Sequence, residues 1–272
     1  MLIGRTGRRL LGRRPVSPPP SSSLGGGEAL RVVDVTKWYG SVQALDEVTM
    51  SVQHGEVVAL VGDNGAGKST LVNIIAGVVQ ADEAQFFIEG QRRAIASTDD
   101  AAACGIRTVH QDQTLADNLD VVENLFLGRE KCRGMGPLER LDYRSMQERT
   151  RSVLSELGIS TIADINAPVG QMSGGQRQSV AVGRVLLDNY PIVMLDEPTT
   201  GLGVAECQQV MVLIRRLRAQ GTATVIVSQN IDEVFEVADR IVVLHLGRVG
   251  AVLNRAETTP EEVMGAVMGI AS

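Results

Sequence analysis

At 272 residues, 44% hydrophobic and 21% charged, the chain has the composition of an ordinary soluble protein and enough length to bury a core. Its net charge of −6 hides a split: residues 1–27 carry five Arg and no acid, which leaves 21 basic against 32 acidic residues, or −11, for the body. An acidic body argues against general nucleic-acid binding, which needs a basic face, and no apolar run approaches the roughly 18 residues that cross a bilayer, so a membrane role would come through a partner.

Residues 1–28 are Arg-rich, then Pro/Ser-rich, then glycine-rich, and read as a disordered tail. Arg pairs at a chain start also resemble a targeting segment, but no apolar stretch of the needed kind follows them. From Leu30, LRVVDVTKWYG and DEVTMSVQHGE are strands separated by turn residues, an expected antiparallel β-subdomain. EVVALVG is nearly all apolar, as a strand buried in a parallel sheet should be, and KSTLVNIIAGV continues as a helix. The stretch from about 113 to 180 is rich in helix formers; Met146, Val153, Leu154 and Leu157 share one helix face there. PIVMLDE, AECQQVMVLIRRLRAQG, TATVIVS, DEVFEVAD and RIVVLHLG then alternate strand and helix, which predicts a mainly parallel sheet covered by helices. Thr259, Pro260 and Glu262 spell a capped N terminus for the last helix.

GDNGAGKST, residues 62–70, matches G-x-x-x-x-G-K-[ST] between a strand and a helix. Gly62, Gly65 and Gly67 let backbone N–H groups turn inward around a phosphate, with Asp63, Asn64, Ala66 and Thr70 completing the loop. Lys68 reaches the β- and γ-phosphates as a point charge and Ser69 is a Mg²⁺ ligand. The alternative is a glycine-rich turn arising by chance, and the flanking elements count against it. VMLDEPTT ends a buried strand in two adjacent carboxylates, costly to bury without a cationic or polar partner. Asp196 is expected to hold Mg²⁺ through water and Glu197 to polarise an attacking water. Together the two motifs predict a site for a nucleoside triphosphate. Cys104, Cys132 and Cys207 have no metal-binding spacing, and His54, His110 and His245 are far apart, so free thiols and no zinc site are expected.

QMSGGQRQSVAVGRVLL, residues 171–187, lies some twenty residues before the DE strand and resembles the signature motif of the ATP-binding cassette (ABC) family. The likeness covers about residues 30–271. It implies an α/β fold with a P-loop NTPase core, a mainly parallel sheet, an N-terminal antiparallel β-subdomain and a helical signature subdomain, spread over one ABC ATPase domain at 29–271. By the same resemblance Tyr39 stacks on adenine, with a core aromatic as its alternative. Gln111 contacts Mg²⁺ and the attacking water, Ser173 and Gly175 bind the γ-phosphate held by an opposite subunit, and Gly174 and Gln176 complete that nucleotide-binding signature. The cofactors implied are ATP and Mg²⁺, and the partners are a second ABC ATPase subunit, in a homodimer or heterodimer, and membrane permease subunits. DNLDVVENLFLGRE and IDEVFEVADRIVVL resemble the ATPases of bacterial monosaccharide importers. That likeness adds a sugar-binding protein as an indirect partner and a location on the cytoplasmic face of the plasma membrane.

One position departs from the family. In ATVIVSQNIDEVFE, residues 223–236, a buried strand runs into two amides. Asn230 fits a helix cap, but Gln229 stands where the family carries a histidine that touches the γ-phosphate and steadies the catalytic carboxylate. Glutamine donates an N–H but never becomes cationic. Two readings therefore stand: a transport ATPase, or a nucleotide-binding partner subunit with impaired hydrolysis. Gly183, inside the signature helix, and Gly203, where many cassettes carry an Asp, are lesser departures, as is the lack of a glycine in ADEAQFF.

Overall fold

The computed structural model describes residues 27–109, 115–134, 140–159 and 161–270; the expected tail lies outside them, except for its last two residues. Strands β1 (Glu28–Tyr39) and β2 (Val42–Gln53) form an antiparallel hairpin about the turn at Gly40. The apolar run Val57–Gly62 is β3, and helix α1 (Lys68–Ile75) follows the glycine loop. β4 (Glu83–Ile88) returns to pair with β1, and β5 (Gln91–Arg93) extends that sheet. Where the resemblance expects a glycine before β4, Asp82 accepts hydrogen bonds from the Trp38 N–H at 2.6 Å and Lys37 Nζ at 3.2 Å, fastening the strand's entry to β1. Next come α2 (Thr98–Ala103) and β6 (Ile106–Val109).

The middle of the chain supplies α3 (Val121–Phe126), a short hairpin of β7 (Cys132–Arg133) and β8 (Arg140–Leu141), α4 (Tyr143–Glu156) and α5 (Gly174–Gly183). Alternation then resumes with β9 (Ile192–Asp196), α6 (Val204–Ala219), β10 (Ala223–Val227), α7 (Ile231–Val237) and β11 (Arg240–His245). β12 (Arg248–Asn254) and α8 (Pro260–Val267) close the chain; α8 has the expected capping box of Thr259 and Glu262.

The principal sheet has the order β12-β11-β3-β10-β9-β6, parallel except for β12, and the second sheet has the order β2-β1-β4-β5. A period of two divides the buried strands between two cores. Val58 and Leu60 face the layer that contains α1 and the antiparallel sheet, packing with residues such as Leu45 and Leu71. Val57, Ala59 and Val61 face the helical layer, with residues such as Leu125, Met146 and Val153. Met146, Val153, Leu154 and Leu157, expected on one face, are all buried there. Val210, Met211, Ile214 and Leu217 bury the matching face of α6. Gly183 is buried rather than exposed: a Cβ on it would lie 3.3 Å from Val153 and 3.4 Å from Leu125. Its lack of a side chain lets α5 pack closely on α3 and α4.

Candidate nucleotide site

The strands that carry the motifs end level with one another. Val227 pairs with Leu60 on one side and with Asp196 on the other, so the loops after β3, β10 and β9 open together at the carboxyl edge of the sheet. In an open parallel sheet this edge is where ligands bind. The loop after β3 is held by backbone geometry. Gly67, at φ 104°, starts α1 with no side-chain cap, and a Cβ on it would lie 2.6 Å from Leu45 Cδ2 and 2.7 Å from the Ala44 carbonyl. The β2 hairpin lies that close over the loop. Gly65 is also in the left-handed region, and a Cβ on Gly62 would collide with the Leu244 carbonyl.

Lys68 is 5% exposed, and its ammonium donates to the carbonyls of Gly62 at 2.8 Å and Asp63 at 2.9 Å. Burial pulls it below the ordinary lysine range, while the negative charges of Glu197, Asp63 and Asp196 push the other way. Those couplings bring the acid pair and the glycine loop to one place. Asp63, Asn64, Gly65 and Ser69 are exposed, Ala66 is buried and Thr70 is half-buried.

Asp196 is the last residue of β9 and is buried. Glu197 follows with φ 46°, a left-handed backbone that strains a non-glycine residue. Its N–H donates to the Val227 carbonyl at 3.0 Å. Both carboxylate oxygens accept hydrogen bonds, Oε2 from Thr200 Oγ1 at 3.1 Å and Oε1 from Gln229 Nε2 at 2.6 Å. The same Gln229 nitrogen donates to Asn64 Oδ1 at 3.2 Å. Asn230 caps α7, as its position suggests, by accepting from the Asp232 N–H.

Among the described residues no group of three or more His, Cys, Asp or Glu could hold a metal ion by itself. The Ser69 hydroxyl and the Asp196 carboxylate are hard oxygen donors, the chemistry that suits Mg²⁺ carried in with phosphates. The residues therefore fit that ion.

Ser173 is the N-cap of α5, where its hydroxyl accepts from the Gln176 N–H and Gln176 Oε1 accepts from the Ser173 N–H. Gln176 Nε2 also donates to the Thr161 carbonyl at 2.7 Å. Ser173 and Gly174 are exposed and Gly175 is half-buried. Among the described residues, no side-chain hydrogen bond joins Ser173–Gln176 to residues 62–70. One turn along α5, Gln178 Nε2 donates to the Pro198 carbonyl at 3.2 Å, tying this helix to the loop after Glu197. Tyr39 is 48% exposed at the end of β1, with the Lys37 ammonium 5.6 Å from its ring centre, and is not a core aromatic. Gln111 lies outside the described residues. Motif reading missed Thr200 and Gln178, and gave Asn64 no role beyond the loop.

Fold and site together define a P-loop nucleoside triphosphatase. Residues 45–200 match the family described as ABC transporter. The fructose import ATP-binding protein of Rhizobium meliloti is 42% identical, over 86% of this chain and 92% of its own length. The xylose/arabinose import ATP-binding protein of Sulfolobus acidocaldarius is 41% identical, over 87% and 92%. The solved dimeric post-hydrolysis structure of an ATP-binding cassette bound to ADP and Pi aligns with a TM-score of 0.69 and 27% identity, covering 83% of this chain and 98% of its own. The chain belongs to the ABC transporter family, as an ATP-binding ATPase subunit.

Proposed function

We propose that the chain hydrolyses Mg-ATP to drive the import of a sugar through a membrane permease, with which it sits at the cytoplasmic face of the membrane. Sugar import is in the names of both relatives reported above. Among the described residues no helix is long and apolar enough to cross a membrane, in keeping with a partner that does. The observation that carries the catalytic reading is the 2.6 Å hydrogen bond from Gln229 Nε2 to Glu197 Oε1, beside the phosphate loop.

In this reading the N–H groups of residues 62–70 and the Lys68 ammonium bind the β- and γ-phosphates, and Tyr39 stacks on adenine. Ser69, Asp196 and Gln111 hold Mg²⁺, which when bound neutralises charge on the phosphates. Glu197, fixed by Thr200 and Gln229, orients a water toward the γ-phosphorus and accepts its proton. Gln229 keeps that carboxylate in place as a neutral donor. Ser173, Gly174, Gly175 and Gln176 face the nucleotide of a second ATPase subunit, so each nucleotide is completed by two subunits and hydrolysis parts them. The exposed signature turn and the dimeric solved relative support that pairing. A sugar-binding protein outside the membrane completes the importer.

Steady-state Mg-ATPase assays test this reading. Wild type is expected to turn over and Glu197→Gln to lose about 10²- to 10⁴-fold in kcat while still binding ATP. A silent wild type that binds ATP and is switched on by Gln229→His would overturn it in favour of a hydrolysis-impaired partner subunit.

A further inference from the structure

The two N–H bonds of the Gln229 side chain are both engaged, one by Glu197 Oε1 at 2.6 Å and the other by Asn64 Oδ1 at 3.2 Å. A carboxylate only accepts, so it is the nitrogen of the Gln229 amide, and not its oxygen, that must face Glu197. Asn64 must then face that nitrogen with its own carbonyl oxygen. These residues come from loops after β3, β10 and β9, with β10 between the other two strands. Thr200 takes the remaining Glu197 oxygen. A line of hydrogen bonds, Asn64 to Gln229 to Glu197 to Thr200, thus crosses the carboxyl edge of the sheet.

The two bonds of Gln229 differ in strength. The one to Glu197 is short and charge-assisted, a kind roughly twice as strong as a bond between neutral groups; the one to Asn64 is longer and neutral. A phosphate oxygen arriving beside the glycine loop is a charged acceptor, so it displaces the weaker, neutral partner. We propose that Asn64 is a positioning residue: it keeps the Gln229 amide turned toward Glu197 and yields its N–H to the terminal phosphate when ATP binds. This rests on the ATP-hydrolysing reading above and adds to it the residue that sets the Gln229 amide before nucleotide arrives.

Nuclear magnetic resonance of the ¹⁵N-labelled chain reads the brace without turnover. The Gln229 side-chain amide signals are identified by their loss in Gln229→Ala. They are expected to shift in Asn64→Ala without nucleotide, and in wild type to respond to a non-hydrolysable Mg-ATP analogue but not to Mg-ADP. Kinetics give the second arm. Asn64→Ala is expected to leave kcat within about twofold, because the bond it removes is already given up in the ATP complex, and to lower the KM for ATP about three- to tenfold, the effect of one neutral hydrogen bond made only before nucleotide arrives. In the Gln229→Ala background, Asn64→Ala should leave the KM for ATP unchanged, because the two residues act as a unit. Gln229 signals unmoved by Asn64→Ala, a KM shift that persists in the Gln229→Ala background, or a loss confined to kcat would each overturn the proposal. If wild type binds ATP without turnover, the transport-ATPase reading fails, and the resonance arm still decides the role of Asn64.

Discussion

Two helix N termini in this molecule are built in opposite ways. α1 begins at Gly67 with no side chain capping it, on a loop crowded by β2, and Lys68 is nearly buried beneath it. α5 begins at Ser173 with a complete capping box and two exposed residues. The first turn of any helix has N–H groups without intrahelical partners. At α1 no side chain takes those groups, which leaves them for an anion. At α5 the side chains of Ser173 and Gln176 satisfy part of that demand, so a ligand there must compete with the cap. In the proposed reading, the uncapped terminus binds the nucleotide of its own chain and the capped one meets a nucleotide brought by another.

The largest expected effect falls on α1. Lys68→Ala removes the ammonium from beneath the loop and should cost about 10²- to 10³-fold in ATPase activity and weaken Mg-ATP binding, measured by turnover and by equilibrium titration. Near-normal binding would show that the backbone alone holds the phosphates. Gly67→Ala sharpens the same point: a Cβ has no room beside Leu45 and Ala44, so about 1–3 kcal/mol of stability should be lost, along with nucleotide affinity. Denaturant unfolding and ATP titration check both. Smallest is Ser173→Ala, which should cost about 1 kcal/mol through the lost cap and leave ATP affinity of the isolated chain unchanged. A tenfold fall in that affinity would mean that α5 meets the nucleotide of its own chain, and the contrast would collapse.

Much of this architecture was legible because it is locally encoded. The apolar strands, the glycine loop and the caps at Asn230 and Thr259 depend on neighbours a few residues away, and the structure places them as read. What could not be read depends on pairs distant in sequence. Asn64 and Gln229 are 165 residues apart, and no periodicity links them. Propensity marks Gly183 as a weak point in α5, whereas its cause is the closeness of Val153 and Leu125. The β7–β8 hairpin has strands of two residues each, too short to show alternation.

In the proposed reading, the left-handed backbone of Glu197 sets folding and turnover against each other at a single residue. Glycine at 197 would relieve a strain of order 1 kcal/mol but leave no carboxylate to steer a water. The strain at 197 thus accompanies a carboxylate that Thr200 and Gln229 hold at this edge of the sheet.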